Sequence, residues 1–295
     1  MNITVIGPGA IGVLLAYTLS NKENEISLLV KPEHEYLLDH KKIRIKDMNG
    51  KIIDKKIKII TSLNKTDLVI LTVKSYDVEY LLKQIKEIDT PILCCQNGLR
   101  TLNLLKNKIK PNLLSYMVTG IGSSKIEAGF SHLNGKGFTF LGQVEGENRA
   151  NIKKISQDLS VKGIICEIVE NIPDYVWLKA IINSAINPIA TINKVKNGEL
   201  KNKNLIIQVK NICDESTNIA QKIGIKLPRD PWEEIMTIIT KTAENKCSML
   251  QDIENQQKTE IDAINGEFVR IAETNKLDAK YNKLAITKIK KLIDA

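Results

Sequence analysis

Between Trp177 and Leu200 the chain places an amine and two carboxamides in a mostly apolar stretch, WLKAIINSAINPIATINKVKNGEL. Lys179, Asn183 and Asn187 recur at every fourth residue. In a helix, steps of four advance by about 40° each, so these groups form one slowly drifting row bordered by isoleucine and alanine. An ammonium can donate a proton or neutralise a developing negative charge. Carboxamides can bind hydroxyl and carboxylate groups without adding charge.

Two interpretations of this polar row remain open at this point. It is either the solvated edge of an amphipathic helix, in a chain rich in lysine and asparagine, or the polar wall of a binding cleft. Burial without partners would cost each group about 2–7 kcal/mol in lost hydration, so a cleft wall must satisfy them. The spacing by itself favours the solvated edge, and the rest of the chain has to decide.

The chain begins with a second candidate site, the stretch ITVIGPGAIG. Gly7, Gly9 and Gly12 have G-x-G-x-x-G spacing between a β-rich run and an apolar helical run, the context of a dinucleotide-binding turn. The first glycine makes the tight turn, the second lets the pyrophosphate approach the backbone, and the third allows close helix packing. The alternative is a tight strand-to-helix turn without a ligand. The candidate cofactor-binding residues here are Gly7, Pro8, Gly9, Ala10, Ile11 and Gly12.

The end of the second predicted strand bears on which dinucleotide is bound. NAD sites commonly place an acidic residue there to bind the ribose hydroxyls, whereas this strand ends LLVKPE, with Lys31 in that region. A cation suits the 2′-phosphate, so Lys31 predicts NADP (NADPH) as the cofactor. Glu33 lies two residues further on and weakens this argument. An ordinary surface lysine is the alternative.

Strands and helices alternate through the first half of the chain. The runs ITVIG, EISLLV, DLVILTV, PILCCQNG and LLSYMVTGIG predict strands, and AIGVLLAYTLSN and VEYLLKQIKEI predict helices. IRIKD and KIIDKKIKII predict a hairpin around Asn49-Gly50. This alternation predicts a Rossmann-type, doubly wound parallel sheet with ligands at the carboxyl ends of its strands. Lys74 in TVKSYD and Asn97 in CQNGL follow two strands and become candidates by position.

Helical periodicity dominates from Pro173 onward. It predicts helices over residues 174–193, 204–223, 231–245, 248–275 and 280–294. A chain of 295 residues also favours two domains. We therefore place a boundary near residue 170, between an α/β domain over 1–170 and an all-helical domain over 171–295.

Composition narrows the class of protein. The net charge is +9, but the lysines are dispersed and aromatic residues make up only 4%, which argues against nucleic-acid binding. Apolar runs fall short of the ~18–20 residues that a membrane span needs. The start of the chain has no signal-peptide pattern, so we expect a cytoplasmic protein.

Neither the cysteines nor the histidines form a metal-binding pattern. There are five cysteines, and the adjacent Cys94 and Cys95 lie in an apolar run, which predicts buried reduced thiols. His34, His40 and His132 form no ligand pair on one helix face. We therefore predict no metal site.

Several blocks of sequence, taken together, resemble one family. They are ITVIGPGAIG, VKSYD, QNGL, WLKAIINSAINPIATI with NGEL, and NKCSMLQDIENQQKTEIDAINGE. In this order, and over essentially the whole chain, they resemble the ketopantoate reductases (2-dehydropantoate 2-reductases). The resemblance implies reduction of ketopantoate to pantoate with NADPH, on the route to pantothenate and coenzyme A.

The resemblance also assigns roles to residues around the substrate. Lys179 matches the catalytic lysine of the family, and Glu260 matches the acid beside the reacting centre. The implied substrate-binding residues are Asn97, Asn183, Asn187, Asn197 and Ser248. On this reading the polar row is the wall of a cleft, and the substrate satisfies its groups.

On the cofactor side, the resemblance implies that Lys31 lies near the 2′-phosphate, where arginine is familiar in the family. The other positions implied around the cofactor are Lys74, Asn97, Ser123 and Glu260. The loop at Gly122-Ser123 departs from the family pattern, which more often has His-Gly-Ala there.

Ser248 and Glu260 impose a geometric condition if both are to contact one small substrate. They lie twelve residues apart on the helix predicted over 248–275, which separates them by about 18 Å along the axis and about 120° around it. A straight helix cannot bring them together. Either the helix bends, or it starts after Ser248 and leaves that serine on a loop, so we predict an interruption between Lys246 and Ile253.

Two alternatives to ketopantoate reduction follow from the same residues. One is a related reductase of the same fold that acts on another branched 2-oxo acid, and the other is a dinucleotide-binding sensor without turnover. The presence of both Lys179 and Glu260 argues against a sensor. The expected partner is a small 2-oxo acid, with neither nucleic acid nor membrane, and the protein is expected to be a monomer or a homodimer.

Overall fold

The computed structural model describes residues 1–34, 36–37, 41–87, 89–147 and 149–293. His40, the end of the helix predicted through Ile88 and the last residue of the helix predicted over 280–294 lie outside these ranges. Contacts between Cα atoms divide the chain into a first unit, residues 1–96 with 104–172, and a second unit, residues 97–103 with 173–295. A single boundary near residue 170 does not anticipate that 97–103 groups with the second unit.

The first unit is built on strands. They are β1 (Asn2–Ile6), β2 (Glu25–Leu29), β3 (Lys42–Lys46), β4 (Ile52–Lys56), β5 (Lys58–Ile60), β6 (Leu68–Leu71), β7 (Ile92–Cys94), β8 (Leu114–Thr119), β9 (Gly122–Glu127), β10 (Phe130–Gly135), β11 (Thr139–Gln143) and β12 (Cys166–Ile168). The central strands are apolar at nearly every position because both faces of the sheet are covered, and all four residues of β6 are buried.

Within the described residues, eight strands form one sheet in the order β12-β11-β8-β7-β6-β1-β2-β5. Neighbouring strands from β8 to β5 run parallel, whereas β11 is antiparallel to β8. The predicted α/β fold, with a doubly wound sheet followed by helices, is confirmed. The antiparallel β11 was not predicted. Because β1 pairs with both β2 and β6, the carboxyl ends of these three strands stand side by side.

A second sheet has the order β4-β3-β10-β9 among the described residues. Strands β3 and β4 form the predicted hairpin around Asn49-Gly50, with Gly50 at φ +84°. The prediction of KIIDKKIKII as one arm of this hairpin was wrong in part. Its first half is β4, whereas its second half, β5, pairs with β2 in the main sheet, because the strand is interrupted at Ile57 and each half has a different partner.

Helices of the described chain are α1 (Ala10–Leu19), α2 (Val78–Glu87), α3 (Arg100–Lys106), α4 (Ala150–Val161), α5 (Ile172–Asn193), α6 (Lys203–Lys222), α7 (Pro231–Lys241), α8 (Ser248–Glu254), α9 (Asn265–Thr274) and α10 (Lys280–Ile293). None of them is both long and apolar enough to cross a membrane. Helix α7 ends at Lys241, four residues before the predicted end, where the Thr242 hydroxyl binds the carbonyl of Ile238.

The single helix predicted over 248–275 is wrong. The chain forms α8, leaves helical geometry over 255–264 and resumes as α9. The interruption therefore follows Glu254 instead of lying between Lys246 and Ile253. Ser248 is the first residue of α8, and Glu260 stands in the non-helical segment. The two residues do not share one straight helix, as expected, but the residue on the loop is Glu260.

Helix α5 contains Pro188, which has no N–H to donate to the carbonyl of Ser184 four residues earlier. That carbonyl instead accepts a hydrogen bond from Asn265 Nδ2 at 2.9 Å. Ser184 and Asn265 are fully buried, so an unpartnered carbonyl here would be costly. A side chain at the start of α9 therefore repairs the hydrogen-bond ladder of α5.

The same amide group continues into a buried polar network. Asn265 Nδ2 also lies 2.9 Å from Asn282 Oδ1 on α10. Asn282 Nδ2 in turn donates to Glu215 Oε1 at 2.8 Å and to Ser216 Oγ at 3.1 Å, both on α6. The Ser216 hydroxyl lies 3.1 Å from that of Ser184. These bonds connect α5, α6, α9 and α10 in the core of the second unit.

We expect Asn265→Ala to lower the free energy of unfolding by about 2–4 kcal/mol, because two buried acceptors, Ser184 O and Asn282 Oδ1, each lose a donor worth about 1–3 kcal/mol. Adding Pro188→Ala restores a backbone N–H for Ser184 O. The stability change caused by Pro188→Ala should therefore be more favourable in the Asn265→Ala background, by about 1 kcal/mol. Urea unfolding of the wild type, both single variants and the double variant measures this coupling.

Asn255→Ala is the matched control for this cycle. Its Nδ2 also donates to a helix carbonyl, Gln251 O at 2.8 Å, but in an exposed position. Its loss should change stability by no more than about 0.5 kcal/mol. Additive effects of Asn265→Ala and Pro188→Ala would show that Asn265 does not substitute for the missing N–H.

Candidate active site

The glycine turn between β1 and α1 is closed by close backbone contacts. Gly7 has φ +112°, and its N–H donates to Leu29 O at 3.0 Å. A Cβ atom at Gly12 would stand 2.0 Å from Gly7 O, so any larger residue would have to open the turn. These two glycines are required by the packing of the turn itself.

Gly9 is different, because a Cβ atom there would meet no other atom within 4 Å. The backbone of this residue therefore faces open space at the point where α1 begins. A helix N-terminus offers unpaired N–H groups and a partial positive charge, which suit a phosphate. The turn formed by residues 7–12 thus fits the pyrophosphate of a dinucleotide, with Gly9 giving it room to approach.

The ends of the neighbouring strands are held beside this turn. Thr72 Oγ1, just after β6, donates to Ile6 O at 2.8 Å. Gln96 Nε2, after β7, donates to Leu71 O at 2.9 Å and to Val73 O at 3.0 Å. The residue that follows, the half-buried Lys74, begins the turn over Ser75–Asp77. Thr72 was not predicted, although it precedes Lys74 in the quoted TVKSYD.

Ser123 lies in β9, near the start of α1. Its Oγ donates to His132 O at 3.1 Å and is 3.4 Å from Ala10 O. The segment around Ser123, expected to be a loop, is thus a strand, and the first unit brings it to the glycine turn across more than one hundred residues of sequence. This placement is compatible with the predicted role of Ser123 beside a cofactor.

Lys31 follows β2 and forms an ion pair that the sequence did not reveal. Its Nζ lies 2.9 Å from Asp77 Oδ1, and 41% of the lysine side chain and 28% of the aspartate side chain are exposed. Asp77 belongs to the turn after β6, on the other side of β1. The only available signal was the position of Asp77 in TVKSYD, at the carboxyl end of a predicted strand.

In the second unit, α5 carries the polar row. Lys179 and Asn183 are half-buried and Asn187 is buried, so the row is not a solvated helix edge. Trp177, two residues before Lys179, packs edge-to-face on Phe268 of α9, with 5.8 Å between ring centroids. This contact and the Asn265 bond attach α5 to α9 on both sides of Lys179 in the sequence.

Glu260 and Asn97 come together although 163 residues separate them in sequence. The Asn97 amide lies 3.4 Å from Glu260 Oε2, and Leu99 N donates to Ala263 O at 3.2 Å. Gly98 has φ +79°, and a Cβ atom there would stand 2.3 Å from Ala263 O. The segment 97–99 therefore lies directly against the non-helical segment that holds the buried Glu260.

Asn197 and Ser248 are linked through the segment 242–247. Asn197 Nδ2 donates to Thr242 Oγ1 at 2.9 Å, and its backbone N donates to Asn245 O. Cys247, which caps α8 before the exposed Ser248, packs with Sγ 3.6 Å from Asn187 O. The three predicted substrate residues Asn187, Asn197 and Ser248 are thus attached to one short segment.

The cysteines are free, and the buried ones are suited to packing rather than to catalysis. Burial raises the pKa of the Cys213 thiol to about 11, and it raises the pKa values of Cys94 and Cys247 as well. A thiol that stays protonated near neutral pH is a poor nucleophile. Among the described residues, no group of three or more His, Cys, Asp or Glu side chains is placed to hold a metal ion.

Comparison with known proteins addresses the family to which the chain belongs. A family profile described as "Ketopantoate reductase PanE/ApbA" matches residues 3–146, and one described as "Ketopantoate reductase PanE/ApbA C terminal" matches residues 171–292. A 2-dehydropantoate 2-reductase from Pyrococcus horikoshii is 33% identical over 290 residues, which cover 96% of this chain and 95% of that protein.

Two solved structures share the fold. The ternary structure of D-mandelate dehydrogenase with NADH and anilino(oxo)acetate has a TM-score of 0.90 at 25% identity, covering 100% of this chain and 98% of that one. A PanE/ApbA family ketopantoate reductase from Ralstonia eutropha has a TM-score of 0.87 at 21% identity, covering 100% and 99%. Since both profiles match in order and the Pyrococcus relative is similar along nearly its whole length, the chain belongs to the ketopantoate reductase family.

Proposed function

We propose that this protein reduces 2-dehydropantoate (ketopantoate) to pantoate with NADPH, in the synthesis of pantothenate and coenzyme A. The observation that carries the proposal is the row of Lys179, Asn183 and Asn187 on α5, half-buried to buried in a chain of this oxidoreductase family. The row supplies one proton donor and two neutral hydrogen-bonding groups. These are the groups that a hydroxylated 2-oxo acid requires.

Lys179 is the proposed proton donor. When bound, the dinucleotide supplies a hydride to the carbonyl carbon of the substrate. The carbonyl oxygen then gains negative charge, which the Lys179 ammonium neutralises by donating a proton from Nζ. The Asn183 and Asn187 carboxamides orient the hydroxyl and carboxylate groups of the substrate without competing charge.

Glu260 is the proposed positioning acid. It is buried, and the Asn97 amide 3.4 Å away supports one of its carboxylate oxygens. A fixed carboxylate can either hold an ammonium group in position or accept a hydrogen bond from a substrate hydroxyl. Asn197 and Ser248, held by the segment 242–247, are proposed to contact the rest of the substrate.

Residues at the strand ends of the first unit are proposed to bind NADPH. Gly9 gives the pyrophosphate access to the start of α1, Lys74 lies on the loop after β6, and Ser123 lies in β9 beside the start of α1. Lys31 is proposed to bind the 2′-phosphate with its ammonium group.

Reduction of another 2-oxo acid is the second candidate function. The observation that favours it is the TM-score of 0.90 with D-mandelate dehydrogenase in complex with NADH and an oxoacetate. Steady-state oxidation of NADPH and NADH with ketopantoate and with an aromatic 2-oxo acid separates these activities. Absence of turnover with every pair, together with binding of the dinucleotide, would instead identify a sensor.

Lys179→Ala should lower turnover of ketopantoate by about 10²–10⁴, the usual contribution of a positioned acid, and should leave binding of NADPH intact. Lys179→Arg keeps the positive charge but cannot release a proton near neutral pH, so it should be nearly as slow. Steady-state turnover numbers measure the loss of activity in both variants, and thermal unfolding shows whether each variant is folded.

The control for Lys179 is Lys222→Ala, which removes an exposed lysine at the end of α6 and should leave turnover unchanged. Near-normal turnover of Lys179→Ala would remove the proposed proton donor. If only the arginine variant stays active, Lys179 acts through its charge alone.

Lys31→Ala should weaken binding of NADPH by about ten- to a hundred-fold, the range for one charge-assisted contact, with little change for NADH. Lys31→Asp should weaken it further, because a carboxylate repels the phosphate and can accept hydrogen bonds from the ribose. Titration of both dinucleotides at fixed ionic strength measures the two affinities. Equal loss of NADPH and NADH on Lys31→Ala would contradict the assignment of NADPH.

A further inference from the structure

The ion pair between Lys31 and Asp77 stands where the adenosine ribose of a dinucleotide is expected. Lys31 follows β2 and Asp77 follows β6, and these two strands flank β1, which leads into the glycine turn. The pair therefore joins the two strand ends on either side of the proposed pyrophosphate site. A carboxylate 2.9 Å from the Lys31 ammonium reduces the positive charge that Lys31 offers to a phosphate.

Backbone hydrogen bonds hold both partners. His34 N donates to Lys31 O at 2.9 Å, and Asp77 N donates to Lys74 O at 2.9 Å. Gln96 anchors the same loop through Val73 O. Both side chains of the ion pair therefore leave short turns that main-chain hydrogen bonds close.

Asp77 balances the charge of Lys31, and the two ionisable residues that follow Lys31 in the chain, Glu33 and His34, add no positive charge at this pair. Glu33, two residues beyond Lys31, is an exposed second carboxylate. Burial, aided by the charge of Lys125, lowers the pKa of the His34 imidazole, so this ring is neutral near pH 7. A dianionic phosphate that contacts Lys31 would have to share it with, or take it from, a carboxylate of the same sign.

A ribose with a free 2′-hydroxyl has different requirements. It can donate a hydrogen bond to a carboxylate, which is the usual contact of an acidic residue in NAD sites. Asp77 could accept such a bond with one oxygen while the other keeps its contact with Lys31. The same ion pair can thus accommodate the hydroxyl, while it weakens the attraction of Lys31 for the phosphate.

We propose that Asp77 is a cofactor-specificity residue: by holding Lys31 it weakens selection for the 2′-phosphate and lets the protein accept NADH as well as NADPH. This inference rests on the proposed function, because it presumes that a nicotinamide dinucleotide binds at the glycine turn. It goes beyond that function because it assigns the strength of the preference for NADPH over NADH to Asp77, a carboxylate outside the glycine motif.

Calorimetric titration tests the proposal by binding alone. The ligands are NADPH, NADH, adenosine 2′,5′-bisphosphate and AMP, each at fixed ionic strength. In wild type we expect NADPH to be preferred over NADH by less than about a hundred-fold, the upper value for one unopposed charge-assisted contact. Asp77→Asn should raise the NADPH/NADH affinity ratio by about ten-fold, and the bisphosphate/AMP ratio should rise with it.

Asp89→Asn is the matched control. Asp89 pairs with Lys110 at the same 2.9 Å. Asp89 precedes β7 and Lys110 precedes β8, so this pair lies at the amino ends of the strands, whereas Asp77 lies at their carboxyl ends. This variant makes the same change in net charge, so it removes any effect of total charge from the comparison. Asp77→Ala serves as a second variant, and thermal unfolding confirms that each protein is folded.

The double variant Lys31→Ala/Asp77→Asn shows whether Asp77 changes the affinity ratio through Lys31 or independently of it. If Asp77 acts through Lys31, the increase in the NADPH/NADH affinity ratio caused by Asp77→Asn should almost disappear when Lys31 is absent. An unchanged affinity ratio in Asp77→Asn and Asp77→Ala, relative to Asp89→Asn, would overturn the inference while leaving the proposed function standing. Failure of wild type to bind either dinucleotide would overturn the proposed function and this inference together.

Discussion

The hydrogen bond from Asn265 to the carbonyl of Ser184 is the contact on which the helical unit depends. Helix α5 is buried along most of its length, yet it contains a proline that removes one backbone donor. Without a replacement donor, the buried carbonyl of Ser184 would have no hydrogen-bond partner, within the part of the helix that carries Asn183 and Asn187. The Asn265 side chain closes it from α9, and Asn282 carries the connection to α10 and α6. The polar row is therefore carried by a helix in which the carbonyl that Pro188 leaves without a backbone donor has a side-chain partner.

Helix α9 is tied to the candidate chemistry in a second way. It follows directly after the non-helical segment that holds Glu260, and that segment binds the chain at 97–99. One short stretch, residues 260–268, thus contains the acid beside Asn97, the amide that repairs α5 and the ring that packs on Trp177. The position of Glu260 relative to α5 is constrained by the contacts of the residues that follow it, Asn265 with Ser184 and Phe268 with Trp177.

In the first unit the candidate site is shaped mainly by backbone geometry, whereas in the second unit buried side chains hold the candidate residues in place. Gly7 and Gly12 allow α1 to start close to β1, and Gly9 leaves open space beside the helix N-terminus. Parallel pairing then places the loops after β2 and β6 on either side of that turn. The chemistry at this end of the strands is set by the side chains that these loops carry, and the ion pair of Lys31 with Asp77 is one charged contact between them.

Local features of the sequence determined much of this protein. The glycine spacing, the apolar strands, the Asn49-Gly50 turn and the row on α5 depend on near neighbours, so periodicity and turn chemistry predict them. Tertiary packing decided the rest. Periodicity continued across residues 248–275, but the chain leaves helical geometry over 255–264, where it packs against 97–99. Asp77 meets Lys31 across 46 residues, and Glu260 meets Asn97 across 163. Such contacts depend on which strands and helices become neighbours, and local preferences along the chain carry no record of that choice.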